Sequence, residues 1–301
     1  MKKKYIPAKY LGIAFSLPAL IYMIAFIGLP TLQNFILSFK NVDVYTFADK
    51  SQQTFVGLKN YIELFSGGNS ILQRSMINTL LFTILSILFQ FVIGFILALL
   101  FNKKFFGSAF FRGATMISWV LPVTVVGLLF KFMFQVKGGI VNQFLMNAGL
   151  ITESVEWLLN SKTAMCAIVI ANIWIGIPFN MMLISTGLTT IPEEVYESAK
   201  LDGAGKFVTL FKITIPMIKP AIMSVLTLGF IYTFKVFDLV WVMTKGGPVN
   251  ATELMSTYAY RLSFEEFQFS KAATAANVLF LILFIVGIFY IKTIDDSEEA
   301  R

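Results

Sequence analysis

Long apolar runs alternate with short polar stretches along the chain, and the lengths of the runs set the first expectation. Six runs reach the roughly 20 apolar residues that a helix needs to cross a bilayer: residues 11–29, 76–101, 109–134, 163–188, 221–243 and 272–291. None carries the alternation of a barrel strand. The pattern predicts an all-α membrane protein of about six transmembrane helices, with residues 1–301 forming a single transmembrane domain. Lys2, Lys3 and Lys4 precede the first run, as in a signal peptide, but the run is long for that role and no A-x-A-like site follows it. An uncleaved first span is expected.

Composition agrees. Hydrophobic residues make up 57% of the chain and charged ones 14%, with a mean hydropathy of +0.76, whereas about a quarter of a soluble domain is charged. Histidine is absent and cysteine occurs once, as Cys166 in an apolar run. Disulfide frameworks, Cys/His zinc sites and histidine-based catalysis are thereby removed, so no metal and no catalytic residue is expected, and Cys166 reads as a small packing residue. The net charge of +7 sits at the ends of the runs rather than in a basic and aromatic patch, which argues against nucleic acid and for the excess of cytoplasmic cations near membrane spans. Lys2, Lys3, Lys4 and Lys9, then Lys103, Lys104 and Arg112, then Lys200, Lys206, Lys212 and Lys219 all fall on one side if both termini are cytoplasmic. Stretches 31–74, 135–162 and 244–270 then face outward.

Polar groups inside spans are costly and mark candidate paths for a solute. Asn172, Gly176 and Asn180 recur every four residues and form one stripe on the fourth helix, drifting only about 40° per step. Pro178 can kink this helix. The amides can meet the polar groups of a solute or a neighbouring helix, the latter for roughly 1 kcal/mol or less per contact. In the fifth span Lys235 and Asp238 lie three apart, close enough to pair on one helix face, with Tyr232 one step inward. That pair either lines the path or is a structural ion pair near the interface. Lys131, ending the third span, is expected to snorkel to the surface.

The loop at 190–216 carries helix signals at both ends. Thr190 or a neighbour can cap, Pro192 suits the first turn, and Glu193 with Glu194 complement the helix dipole. Gly203 is placed to stop the helix, and a second short helix is expected over 206–214, interrupted by Pro216. Glu197-Ser198-Ala199, three residues, Gly203, nine residues, then Ile213-Thr214-Ile215-Pro216 resembles the E-A-A-x3-G-x9-I-x-L-P loop of permease subunits in binding-protein-dependent ABC importers, with Ser198 and Ile215 as conservative replacements. Residues 237–252, ending T-K-G-G-P-V-N-A-T, and residues 56–61, V-G-L-K-N-Y, are similar to segments of the carbohydrate-uptake branch.

The resemblance implies a type I ABC importer permease fold with cytoplasmic coupling helices in a bacterial plasma (inner) membrane. It implies that Glu197, Ser198, Ala199, Asp202, Gly203, Ile213 and Pro216 dock on an ATPase. The partners it implies are a second homologous permease subunit, two ATP-binding subunits holding ATP and Mg, and an extracytoplasmic solute-binding protein that delivers a sugar or oligosaccharide. Gly203-Ala204-Gly205-Lys206 only imitates a phosphate loop, since Phe207 stands where Ser or Thr must hold magnesium and Lys200 where the first glycine belongs; no cofactor is expected on this chain. A glycerol phosphate or phosphodiester cargo is the alternative. An ion-coupled carrier is a weaker reading because no paired broken helices are evident, and a membrane enzyme lacks a base beside a serine.

Overall fold

The computed structural model describes residues 8–66, 71–103 and 105–299; Lys2, Lys3, Lys4 and Lys104 lie outside the described residues. Two compact units result, Met1–Gly68 with Ala259–Val278, and Asn69–Tyr258 with Leu279–Arg301. Among the described residues, four helices are long and apolar enough to cross a membrane, or six if each of two bent pairs is one span.

In the first unit, α1 (Ala8–Met23) and α2 (Leu29–Ser38) are joined through a π-helical turn, Ile24–Gly28. The first span therefore runs on to Ser38, and its most apolar window buries nothing within the chain. A short antiparallel hairpin, β1 (Lys40–Asn41) with β2 (Thr54–Phe55), leads to α3 (Lys59–Ser66). The 56–61 segment holds this corner. Gly57 takes φ +59°, a left-handed conformation open to glycine, and buried Asn60 donates its amide to the Ser38 and Lys40 carbonyls at 2.8 Å each. Tyr61 Oη lies 3.0 Å from Ser38 Oγ. The Asp43 carboxylate accepts the Thr46 N–H, the Thr46 hydroxyl and the Tyr45 N–H, which hold it below the usual carboxylate range. Asn34 Nδ2 donates to Asn277 Oδ1 at 2.7 Å, and Lys271 reaches Glu63 at 3.5 Å.

The second unit is built on α4 (Ile71–Phe101), α5 (Ser108–Val120), α6 (Val123–Met133), α7 (Ile140–Asn147) and α8 (Ala164–Thr189). It continues through α9 (Glu193–Leu201), α10 (Lys206–Val208), α11 (Ile215–Met217), α12 (Lys219–Phe234) and α13 (Asp238–Met243). The run 109–134 is not straight: α5 and α6 meet at 97°. Pro122 is the cause, because it drives Leu121 out of the helical region to ψ 139°. Run 221–243 also breaks, with α12 ending at Phe234 and α13 starting at Asp238. Lys235 and Asp238 consequently do not share a helix face, both are exposed, and no ion pair between them occurs among the described residues. Lys235 Nζ instead lies 5.3 Å from the Tyr232 ring centre.

Helix α4 buries its small and polar face, Ser75, Thr79, Thr83, Ser86, Gln90, Gly94 and Ala98, and turns Ile77, Ile84 and Ile96 outward. That is the reverse of a soluble helix, and it fits lipid, which offers no drive to bury leucine but lets small residues bring backbones together. A Cβ on Gly94 would stand 2.7 Å from Asn180 Cβ and 3.0 Å from the Met181 nitrogen, so α4 and α8 touch backbone to backbone there. A Cβ on Gly187 would stand 2.6 Å from the Ala221 Cβ on α12. Phe82 packs with Ile168 in one apolar cluster and Ala98 with Ile184 in another, so α4 and α8 run in the same direction. Cys166 is exposed on α8 rather than packed, its neighbours Met165 and Ala167 being the buried ones.

Buried Asn142 closes the segment between α7 and α8. Its amide donates to the Val155 carbonyl at 3.0 Å and its Oδ1 accepts the Trp157 indole N–H at 2.9 Å. Asn142→Ala is expected to cost about 2 kcal/mol through the partners it strands, read as a lower thermal midpoint of the purified chain in detergent.

Candidate functional site

Two places gather the sequence-selected residues, an elbow after α8 and a cavity beside it. The elbow starts where α8 ends, at Thr190. This threonine does not cap α9 as expected; its hydroxyl bonds back to the Gly187 carbonyl, and Pro192 occupies the N-cap position. Glu193 and Glu194 fill the first turn and Lys200 the last, both favourable to the helix dipole. Val195 and Tyr196 pack on the apolar cluster of Ile184, Leu188 and Ile191, and Ala199 is buried. Gly203 stops the helix at φ +77°. Its N–H reaches the Lys200 carbonyl at 3.1 Å, and the Ala204 N–H reaches that of Ala199 at 2.9 Å, the paired bonds of a Schellman stop.

The second arm is longer than expected. It is helical from Lys206 to Met217, with a π-helical stretch at Thr209–Thr214, and Pro216 does not interrupt it. Pro216 sits in the first turn of its short segment, where a missing N–H costs little, and the 69° bend comes at Ile218, just before Pro220. Thr214 Oγ1 lies 3.3 Å from the Tyr196 hydroxyl, tying the two arms. Ile213 is half-buried against this joint. Glu197, Ser198, Asp202, Gly203 and Pro216 are exposed. Sequence reasoning missed the elbow's bare apolar residues: Leu201 is 89% and Phe207 79% exposed, a signal of a contact surface on an otherwise polar element.

The cavity, about 390 Å³, lies among α4, α8 and α12 and the α5–α6 bend. It unites Asn172, Gly176, Asn180 and Tyr232, and leaves out Lys235 and Asp238. Gln90, missed in the sequence, is its other amide. It donates to the Asn172 backbone carbonyl at 2.8 Å and packs so closely that a Cβ on Gly176 would strike its side chain. A lone glutamine in an apolar run was the available signal. Asn180 donates to the Gly176 carbonyl at 2.8 Å, whereas the buried Asn172 Nδ2 has no hydrogen-bond partner among the described residues. Tyr232 is 55% exposed and meets Phe179 edge to face, ring centres 5.8 Å apart. Among the described residues that line it, none is charged. The cavity lining thus combines three buried amides with apolar and aromatic side chains, of which Tyr232 is the exposed polar one.

The turn after α13 is built equally closely. Lys245, Val249 and Asn250 all take positive φ, rare away from glycine. Gly246 lies against the fully buried Glu253, whose carboxylate would sit 2.7 Å from any Cβ added there. Thr257 donates to that carboxylate at 2.6 Å, and Asn78 donates to the Asn250 and Glu253 carbonyls at 3.1 Å. Neither Glu253 nor Asn78 was singled out in the sequence.

A bundle of helices long and apolar enough to span a membrane, with an uncharged amide-bearing cavity and an exposed helical elbow, fits the membrane-embedded part of a transporter. Residues 90–296 match the family of inner-membrane components of binding-protein-dependent transport systems, and the chain belongs to that family. It is 31% identical over 293 residues to the probable ABC transporter permease protein YurN of Bacillus subtilis, covering 97% of this chain and 98% of the relative. It is 34% identical to the trehalose/maltose transport system permease protein MalF of Thermococcus litoralis, over 86% of this chain and 85% of that one. A bacterial ABC transporter that imports the acidic polysaccharide alginate has the same fold, with a TM-score of 0.78, 24% identity and 94% of each chain covered. The chain is thus an ABC importer permease subunit of type I fold, a transport component rather than an enzyme or an ion-coupled carrier.

Proposed function

We propose that this permease carries a neutral sugar or oligosaccharide, and that the elbow at 190–216 is where ATP hydrolysis on a partner is converted into its movement. The observation that carries the substrate reading is the uncharged cavity with its unpartnered Asn172 amide. A phosphate ester or phosphodiester calls for cations in the lining, and the nearby Lys235 turns its ammonium to the Tyr232 ring. The names of relatives favour a sugar cargo, and the trehalose/maltose permease a neutral one; a sulfoquinovosyl glycerol permease, SmoG of Agrobacterium fabrum, whose glycoside carries a sulfonate, is 32% identical over 81% of this chain.

In this reading residues 1–301 act as one transmembrane domain with both termini in the cytoplasm, paired with a second homologous permease. Two ATP-binding subunits, which hold the ATP and Mg, grip the elbow of each permease, and an extracytoplasmic binding protein delivers the sugar. Glu197, Ser198, Ala199, Asp202, Gly203, Ile213 and Pro216 shape the docking arm, with Leu201 and Phe207 as its apolar contacts. Asn172, Gly176, Asn180 and Tyr232 line the path, and Lys235 and Asp238 flank it at the helix break. Support for the topology comes from the apolar cluster in which Phe101 and Ile191 share one end of the bundle. Lys103, Arg112 and the elbow then share a side, which supports reading that side as the cytoplasmic one.

The test is uptake by the assembled transporter in proteoliposomes. Asn172→Ala and Tyr232→Ala are each expected to lower sugar uptake about tenfold, the factor that roughly 1.4 kcal/mol represents, with the complex intact. Uptake of a phosphorylated substrate that exceeds that of every neutral sugar tried would overturn the assignment.

A further inference from the structure

Just beyond the end of α4 lies a groove that neither the elbow nor the cavity uses. It runs between the last turn of α4, the start of α5 and the second half of α8, in two parts that meet at Phe101. One part, about 660 Å³, is walled by Leu97, Leu100, Phe105, Phe111 and Trp174. The other, about 600 Å³, presents Lys103 and Arg112 with Asn102, Ser108 and Thr189. Among the described residues, no carboxylate lines either part. Arg112 donates one guanidinium N–H to the Phe101 carbonyl at 2.7 Å. That bond fixes the side chain against the helix end and leaves most of its five donors to the groove.

Depth matters as much as charge. At about 1.5 Å per residue, a 31-residue helix such as α4 is longer than the roughly 30 Å hydrocarbon core, so its end stands at the level of the lipid headgroups. A cationic, hydroxyl-lined recess at that level, continuous with an apolar slot pointing inward, matches one kind of molecule. We infer that this groove binds an anionic phospholipid, with its phosphate between Arg112 and Lys103 and an acyl chain along Phe105, Phe111 and Trp174. Basic pockets between spanning helices recognise anionic headgroups by this chemistry. The lipid would brace α5 against α8 beside the elbow, which links membrane composition to transport.

Native mass spectrometry of the full chain, released from nanodiscs of equal phosphatidylglycerol and phosphatidylcholine, tests this. The wild type is expected to retain phosphatidylglycerol selectively. Lys103→Gln, which breaks no bond in the fold, is expected to lower that retention about fivefold, the effect of roughly one surface cation. Ala114→Trp, which fills the apolar part, is expected to abolish retention with the helical content unchanged. Equal retention of the two lipids, or retention unaffected by both variants, overturns the inference. So does competition by inorganic phosphate alone, which marks a free-anion site. Loss of pairing with the second permease in Ala114→Trp, with lipid retention unchanged, makes the groove a subunit interface and overturns it too.

Discussion

Gly203→Pro is expected to abolish ATP-driven uptake while the protein still inserts and reaches normal levels in the membrane. Proline fixes φ near −65° and carries no N–H, whereas Gly203 sits at φ +77° and donates to Lys200. The stop of α9 would be lost, and with it the fixed angle between the two arms of the elbow. A loss of about 3 kcal/mol corresponds to roughly a hundredfold weaker ATPase association. Co-purification of the ATPase-bearing complex and uptake into vesicles measure the two halves of the claim. Nothing lies within 4 Å of a Cβ at Gly203, so Gly203→Asn, which tolerates the left-handed conformation, should keep most activity. Equal failure of both variants would place the effect in the space around the residue rather than in its backbone. Normal uptake by Gly203→Pro, with the ATPase still bound, would remove the elbow from the mechanism.

Gly94→Leu should be the most damaging substitution inside the bundle. Even the first carbon of a side chain at this position meets Asn180 Cβ at 2.7 Å and the backbone of Met181 at 3.0 and that of Ile177 at 3.2 Å. Backbone cannot rotate away as a flexible side chain can. Helices α4 and α8 must separate, at a cost of about 3 kcal/mol or more, and the cavity between them loses its shape. The expected result is a collapse of the monodisperse peak on size-exclusion chromatography, together with loss of uptake. Gly229→Ala serves as the comparison: its nearest neighbour would be Ile87 at 3.9 Å, so this variant should stay folded. A Gly94→Leu protein with an unchanged thermal midpoint would mean that the two helices do not pack as described.

The sequence made some of this legible, and the reasons differ by residue. Gly203 was readable because the backbone conformation it serves is local and few residues can adopt it. The Asn172–Gly176–Asn180 stripe was readable because spacing alone fixes a helix face. Gln90 was not, since its importance lies in what stands across from it, 82 positions away. The 97° bend at Leu121 and Pro122 left a trace in the proline, but apolar residues on both sides disguised it as one run. Lys235 and Asp238 were read as one helical step, and the helix gives out between them. Thr190 and Pro216 were each assigned a role by residue type that a shift of one or two positions in the helix boundary undid. Cys166 illustrates a further limit: inside a membrane, apolar character does not tell a lipid-facing residue from a packed one.

Helix α8 carries one last consequence. Its two hydrophobic clusters, around Ile168 and around Ile184, bracket the level of Gln90, Asn172 and Asn180 from either end. On the path proposed above, a hydrated solute held between them would face an oily barrier in both directions, so it would advance only if one barrier parted while the other stayed shut. Under that proposal the distribution of residues along a single helix would lay out a lock chamber with two doors, and simultaneous opening would drain whatever gradient the import builds.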